Sequence, residues 1–128
     1  MSRMFAATAF AVLMVSSSIA VAREADPGKI VSVNQEKILA DVNGHTLYTY
    51  DKDKPGKSEC IAVCAAIWPP YIAPDGAAAV GHWSLVSRYD GVKQWAYDGS
   101  PVYTYRPDLK PGDTFGDGIE GTWHVIRR

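Results

Sequence analysis

An internal repeat at a spacing of 55 residues constrains the fold of this chain more than any other feature of its sequence. When the chain is shifted by 55 positions, residues 27–53 align with residues 82–108 without a gap. The identical pairs are Val31 and Val86, Ser32 and Ser87, Gly44 and Gly99, Tyr48 and Tyr103, Thr49 and Thr104, Tyr50 and Tyr105, and Asp53 and Asp108. Further on, Trp68 matches Trp123 at the same spacing. The sequence therefore predicts two copies of one structural unit.

Each copy has the pattern of short β-strands. In the first copy the runs KIVSV and ILADV are separated by the polar NQEK, and Asn43-Gly44 leads into HTLYTY. Asn-Gly between two strand-like runs predicts a two-residue hairpin loop, because both central residues of a type I′ turn have positive φ. The second copy has Asp98-Gly99 at that place and a further Asp90-Gly91 between SLVSRY and VKQWAY. Each copy is therefore predicted to be a three-stranded antiparallel meander.

A two-residue loop at Asn43-Gly44 also predicts which side chains share a face of the sheet, because side chains alternate along a strand. In the first copy the two faces are expected to hold Ile38, Ala40, Val42 and Leu47 on one side, and Tyr48 and Tyr50 on the other. In the second copy the corresponding sets are Trp95, Tyr97 and Val102, and Tyr103 and Tyr105. Both faces carry large apolar groups, so we expect both to be at least partly covered.

The two copies differ after their meanders. The first continues as SECIAVCAAIWPPY, where Ser58 is a plausible N-cap and Pro69-Pro70 ends the predicted helix. The second has the loop PGDTFGDGIEG and then TWHVI, a predicted final strand, while residues 73–82 link the copies. We therefore predict a mainly β protein in which two pseudo-symmetric three-stranded meanders, residues 27–73 and 82–128, form a small sandwich or barrel with one short helix.

The first 22 residues have the pattern of a signal peptide. A basic residue, Arg3, precedes the apolar run 6–15, and Ala20-Val21-Ala22 is typical of a cleavage site. The apolar run is too short for a membrane span, and no Cys near the site could carry a lipid anchor. We expect cleavage after Ala22, a single mature domain over residues 23–128, and a periplasmic or secreted location.

Charge and cysteine content narrow the function classes. The formal net charge is −1 at pH 7, and no basic stripe is present, which argues against a nucleic-acid partner. Cys60 and Cys64 are the only cysteines of the chain. In an oxidising compartment such a pair is typical of a disulfide.

These features resemble a bacterial family of predicted secreted lipoproteins with a Y-x-[FWY]-x-x-D motif, also described as a secreted repeat of unknown function. The motif occurs here as residues 48–53 and residues 103–108, which we call the YTY segments. The stretch from Cys60 to Pro70 and the final Gly-Asp-Gly with Trp-His-Val also look like that family. The resemblance implies export and a repeat architecture, and it implies no biochemical activity. The missing lipobox Cys is a departure from many relatives.

The YTY segments allow a functional and a structural interpretation. The candidate residues are Tyr48, Tyr50, Asp53, Tyr103, Tyr105 and Asp108. Paired Tyr rings beside a carboxylate could bind a sugar, a peptide or a cation. The same residues could instead pack across a sheet and close a turn. Duplication favours the structural interpretation, because one active site seldom needs two complete copies.

Cys60 and Cys64 also allow alternatives to a disulfide. Two thiolates with His45, His82 or His124 as a third ligand would suit Cu(I) or Zn, and a redox-active thiol pair is a further possibility. A bridge across a continuous helix should distort its turn, because i and i+4 Cα atoms lie near the upper end of the bridgeable range.

Catalytic signals are weak in this sequence. Asp113, Asp117 and Glu120 could bind Ca²⁺, but their spacing does not match an EF-hand loop, which favours solvated turn carboxylates. There is no G-x-S-x-G, H-E-x-x-H or P-loop motif. We therefore expect a non-enzymatic envelope protein without a cofactor that binds a ligand or protein partner, with a metal or thiol-redox protein as the alternative.

Overall fold

A computed structural model of the chain describes residues 1–19 and 25–128. Residues 1–19 form no helix or strand and are exposed. The predicted cleavage after Ala22 lies outside the described residues. No helix in the described ranges is both long and apolar enough to cross a membrane.

The fold is mainly β, with small antiparallel sheets and one short helix, and the described sheets do not close into a barrel. The strands are β1 Gly28–Val33, β2 Glu36–Asp41, β3 Tyr48–Tyr50, β4 Trp83–Ser87, β5 Lys93–Tyr97, β6 Ser100–Pro101 and β7 Trp123–Val125. The helix α1 is Val63–Ile67, and a 3₁₀ turn covers Ile119–Gly121. As predicted, the helix ends before Pro69-Pro70 and TWHVI supplies the final strand.

The three-stranded meander is confirmed in the second repeat, where β4, β5 and β6 form one sheet. In the first repeat β1 pairs with β2, whereas β3 pairs with β7 from the other repeat. Near the middle of the molecule the backbone N–H of Tyr48 donates to the carbonyl of Tyr103 at 2.8 Å. The N–H of Tyr103 donates to the carbonyl of Tyr48 at 3.0 Å. The two repeats are thus joined through their YTY segments.

The predicted two-residue loop at Asn43-Gly44 is wrong. The N–H of Asp41 donates to the carbonyl of His45, so the loop holds three residues, 42–44, and only Gly44 among them has positive φ. The two-residue loop of this repeat is instead formed by Asn34 and Gln35, both with positive φ. In the second repeat the order is reversed, because the first loop has three residues, 89–91, and the second has two. The extra residue in the second loop of the first repeat balances the extra residue in the first loop of the second repeat. The third strands of the two repeats therefore stay 55 residues apart.

The extra loop residue makes the predicted faces of the first repeat wrong. Leu39 pairs with Leu47 through a backbone hydrogen bond, and both side chains enter one core cluster with Trp95. Ile38 enters the other cluster, beside Tyr48, while Val42 is exposed. A one-residue slip in register moves every side chain of a strand to the opposite face.

In the second repeat the predicted faces are confirmed. Trp95, Tyr97 and Val102 lie in one core cluster, whereas Tyr103 and Tyr105 lie with the other.

The predicted helix start at Ser58 is also wrong. The helix begins at Val63, and no side chain caps it. The hydroxyl of Ser58 lies 2.6 Å from that of Tyr103 instead. None of the five helical residues is buried, so the short helix packs little of its apolar surface.

Candidate functional site

Each YTY segment is hydrogen-bonded to the other through its first Tyr and its Asp. The Tyr48 hydroxyl donates to Asp108 Oδ2 at 2.5 Å. The Tyr103 hydroxyl donates to Asp53 Oδ2 at 2.7 Å. Both tyrosines are fully buried, so these two bonds form a reciprocal lock between the repeats, which we call the Tyr–Asp lock.

The lock also holds the loops that follow the YTY segments. Asp53 Oδ1 accepts the backbone N–H of Glu59 at 2.7 Å, and Asp108 Oδ1 accepts that of Phe115 at 2.9 Å. In each repeat one carboxylate thus connects a buried phenol of the other repeat to its own return loop.

Burial shifts the pKa values of the two phenols and the two carboxyl groups of the Tyr–Asp lock. It is the main cause that raises the pKa of the Tyr48 and Tyr103 phenols, and the hydrogen bonds to the carboxylates raise it further. Burial also raises the pKa of Asp53 and Asp108, against the lowering effect of the hydrogen bonds that they accept. The phenols therefore keep their protons and act as donors, which is a structural role.

The second Tyr of each segment belongs to a stack of four aromatic rings. The ring centroids of Tyr50 and Trp123 are 4.1 Å apart, those of Trp123 and Trp68 are 3.8 Å apart, and those of Trp68 and Tyr105 are 4.1 Å apart. Trp68 and Trp123 are almost completely buried. The structure thus uses these rings for packing between repeats: Trp68 and Trp123 have no open face, and Tyr50 and Tyr105 at the ends of the stack are half-buried.

A buried polar network, which the sequence analysis missed, lies beside the lock and joins the two repeats. The Arg88 guanidinium donates to Ser58 Oγ at 3.0 Å, to Gln94 Oε1 at 2.8 Å and to the carbonyl of Cys60 at 2.8 Å. Arg88 is buried although Val33 occupies the aligned position of the first repeat. The sequence did carry a signal for this network, because a charged residue, Arg88, stands where the other repeat has an apolar one.

Cys60 and Cys64 form a disulfide with Cα atoms 5.2 Å apart. Cys60 lies in the core, just before the helix, and Ala62 between the cysteines has a φ of 54°. The bridge therefore does not span a continuous helical turn, in agreement with the expected distortion.

Reduction of this disulfide should lower the free energy of unfolding by about 2 kcal/mol, because a bridge with a sequence separation of 4 closes only a short loop. Urea unfolding with and without a phosphine reductant measures the difference. The double variant Cys60→Ser/Cys64→Ser is the control and should not respond to the reductant. Equal midpoints for the oxidised and reduced wild type would contradict the prediction.

The three histidines lie beside carboxylates and not beside the cysteines. His82 Nδ1 is 2.7 Å from Asp98 Oδ1, and His124 Nε2 is 2.7 Å from Asp51 Oδ2. His45 makes a longer contact, 3.6 Å, with Asp41. Over residues 1–19 and 25–128, no three His, Cys, Asp or Glu side chains are grouped as metal ligands would be.

The acidic residues of the second return loop take part in local contacts. Asp113 Oδ2 accepts the backbone N–H groups of Leu109 and Lys110. Asp117 forms an ion pair with Arg127 at 2.7 Å. Glu120 is exposed, so the structure does not bring the three carboxylates together.

A groove of about 400 Å³ beside the linker between the repeats is lined mainly by apolar side chains. Its lining side chains come from the segment before β1, the loop after β2, the segment after α1, the linker and β5, and include Pro27, Val42, Tyr71, Ile72, Ala77, Ala78, Val80 and Trp95. Two carboxylates, Asp26 and Asp75, also line it. Sequence reasoning missed this groove, because its walls are distant in the chain.

Backbone hydrogen bonds fix one wall of this linker groove. The N–H of Trp95 donates to the carbonyl of Tyr71 at 2.8 Å, and the N–H of Ala73 donates to that of Lys93 at 2.9 Å. The Tyr71 hydroxyl donates to the carbonyl of Pro27 at 2.5 Å, which ties a second wall to the first. The groove is therefore largely preformed, as small-molecule sites usually are.

The surface of the second repeat that corresponds to the linker groove in the 55-residue alignment is polar. There Arg128 lies over the Tyr97 ring at 4.6 Å and donates to Asp98 Oδ2 at 2.6 Å. Arg128 is aligned with Ala73, where the first repeat continues into the linker. The linker groove is thus a feature that the repeats do not share.

Comparison with known proteins gives a family but no characterised relative. A family model described as a secreted repeat of unknown function matches the chain twice, over residues 29–71 and residues 84–127. Searches of curated proteins and of solved structures found no match. The two matched regions contain both YTY segments and cover more than half of the sequence. The chain therefore belongs to the family of secreted repeats of unknown function.

Proposed function

We propose that this protein is an exported, non-enzymatic module that binds a small, largely apolar ligand in the linker groove. The proposal rests on one observation, the preformed apolar groove of about 400 Å³ with Trp95 and Tyr71 in its walls. The proposed location is periplasmic or secreted, after cleavage behind Ala22, and the intact mass of the exported protein reports that cut.

The YTY segments serve as scaffold in this proposal. Their buried phenols and carboxylates are engaged in the Tyr–Asp lock, and their remaining rings belong to the aromatic stack. The pseudo-symmetric repeats hold the linker in place, and the ligand contacts residues that differ between the repeats.

The chemistry of the groove favours binding over catalysis. Among the described residues that line it there is no Ser, Cys, His or Lys. The usual pairing of a Ser, Cys or Lys nucleophile with a His base is therefore missing from the described lining. The alternative metal role is not supported, because the disulfide leaves neither sulfur as a thiolate ligand.

Filling the groove should weaken binding without disturbing the fold. Ala78 is exposed and lines the groove, so Ala78→Trp places a bulky side chain in the cavity. We expect wild type to bind the neutral probe tryptophol saturably, with a Kd below about 1 mM, and Ala78→Trp to weaken binding at least about tenfold. Titration of backbone amide chemical shifts measures both constants.

Ala79→Trp is the matched control, because Ala79 is the exposed neighbour that does not line the groove. It should bind tryptophol like the wild type. The proposal fails if wild type shows no saturable binding, or if Ala78→Trp and Ala79→Trp bind equally well.

A further inference from the structure

We propose that the natural ligand of the linker groove is an amphiphilic cation, a small molecule with an apolar body and a protonated amine or guanidinium. This inference rests on the proposed function and adds the charge of the ligand to it. It follows from the charged groups of the groove, from its aromatic walls and from an arrangement that the chain itself already uses for a cation.

The charged groups of the groove have one sign. Asp26 and Asp75 line it, and no Lys, Arg or His is found among the described lining residues. Neither carboxylate forms an ion pair with another described residue. Because like charges repel, an anionic ligand would be disfavoured, whereas a cation gains from both carboxylates.

The walls suit the rest of such a ligand. Trp95 and Tyr71 contribute aromatic rings, and a cation near the face of a Trp or Tyr ring is attracted by its quadrupole. Val42 and Ile72 remain about half exposed, at 57% and 44%, beside the same cavity. Covering their apolar surface would favour binding of the ligand body.

The second repeat shows how the molecule binds a cation on its related surface. The guanidinium of Arg128 lies over the ring of Tyr97 and donates to the carboxylate of Asp98. The linker groove offers the same two kinds of group, aromatic rings and carboxylates, without a cationic side chain of its own in the described lining. A ligand cation would supply the missing partner.

Three probes with the same indole body and different charge test the inference: tryptamine, tryptophol and indole-3-propionate. At low ionic strength, where surface charges are least screened, tryptamine should bind about tenfold more tightly than tryptophol. Indole-3-propionate should bind most weakly. Dissociation constants come from backbone amide shifts, and the shifting amides should include those of Gly76 and Ala77.

The double variant Asp26→Asn/Asp75→Asn should lose the preference for tryptamine and keep the affinity for tryptophol. Glu120→Gln is the control, because it removes one exposed carboxylate that does not line the groove. Equal binding of the three probes to wild type would overturn the cation inference and leave the proposed function intact. An equal loss in Glu120→Gln would also overturn it, and saturable binding of none of the probes would overturn both.

Discussion

Tyr48→Ala and Tyr103→Ala are each expected to lower the free energy of unfolding by about 4 kcal/mol. Each change leaves a cavity where a fully buried ring packed against a Trp, at 5.3 Å between centroids in both cases. Each change also leaves a carboxylate, the buried Asp108 or the half-buried Asp53, without its phenol donor. Such a loss is a large part of the stability of a domain of this size. Chemical denaturation measures it.

Phe variants separate the contribution of the Tyr–Asp hydrogen bonds to stability from the contribution of ring packing. Tyr48→Phe and Tyr103→Phe keep the ring and remove only the donor, so each should cost about 2 kcal/mol. Tyr50→Phe and Tyr105→Phe are the matched controls, because no hydrogen bond from either hydroxyl to a described residue is present and both rings stay in the stack. The lock is refuted if all four Phe variants are equally stable.

The cost of Tyr48→Phe should depend on pH. Burial raises the folded-state pKa of Asp108 above the ordinary value of an Asp carboxyl, and the Tyr48 hydrogen bond lowers it. Removal of that bond raises the folded pKa further. A carboxyl with a raised folded pKa contributes stability below its unfolded pKa, and this contribution is lost as pH rises through the folded pKa. Tyr48→Phe should therefore destabilise the fold more at pH 7 than at pH 4.

The sequence predicted the class of fold because strand patterns can be recognised within short segments, and the repeat can be recognised by comparing the chain with itself. It did not predict the lengths of the two loops of the first repeat. Asn43-Gly44 is compatible with a two-residue turn and with the last two positions of a three-residue loop, in which only the Gly needs positive φ. Asn34-Gln35 carries no Gly, so the true two-residue turn had a weak signal.

The pairing of β3 with β7 lies beyond what alternation can predict. Tyr48 is opposite Val125, and Tyr50 is opposite Trp123, across more than seventy residues of chain. A period of two shows which side chains share a face and leaves the partner strand undetermined. Duplication alone was enough to interpret Tyr48 and Asp108 as structural residues. That each Tyr binds the Asp of the other repeat could be seen only in the three-dimensional structure.

The same reasoning explains why the linker groove had no sequence signal. Trp95 was placed on a predicted strand of the second repeat, and nothing in its local sequence places it beside residues 71–78. Apolar groove residues cannot be told from core residues by pattern, because both are hydrophobic. The functional hypothesis thus moved from the YTY segments to a surface that the repeats do not share.

Gly116→Ala should destabilise the protein by about 3 kcal/mol through overpacking alone. A Cβ at this position would lie 2.6 Å from Trp68 Cη2, 2.8 Å from Trp68 Cζ3 and 3.0 Å from Tyr48 Cε1. The Trp68 ring cannot easily move, because Trp123 and Tyr105 stack on its two faces. Urea denaturation measures the change.

Gly76→Ala separates this overlap from backbone strain. Gly76 has a φ of +79°, and nothing lies within 4 Å of an added Cβ. That variant should cost only about 1 to 2 kcal/mol, from the left-handed backbone. Gly116 has no positive φ, so any larger cost there comes from the aromatic stack.

A double-mutant cycle identifies the clashing group. The two closest atoms, Cη2 and Cζ3, belong to the six-membered part of the Trp68 indole, and Phe is shorter in that direction. In a Trp68→Phe background, Gly116→Ala should therefore cost at least about 1 kcal/mol less than in wild type, a coupling typical of residues in contact. An additive cycle would mean that the added methyl group acts elsewhere. The stack would then not be what requires glycine at position 116. Gly116 follows Phe115, whose N–H binds Asp108, as the disulfide cysteine Cys60 follows Glu59, whose N–H binds Asp53 in the first repeat.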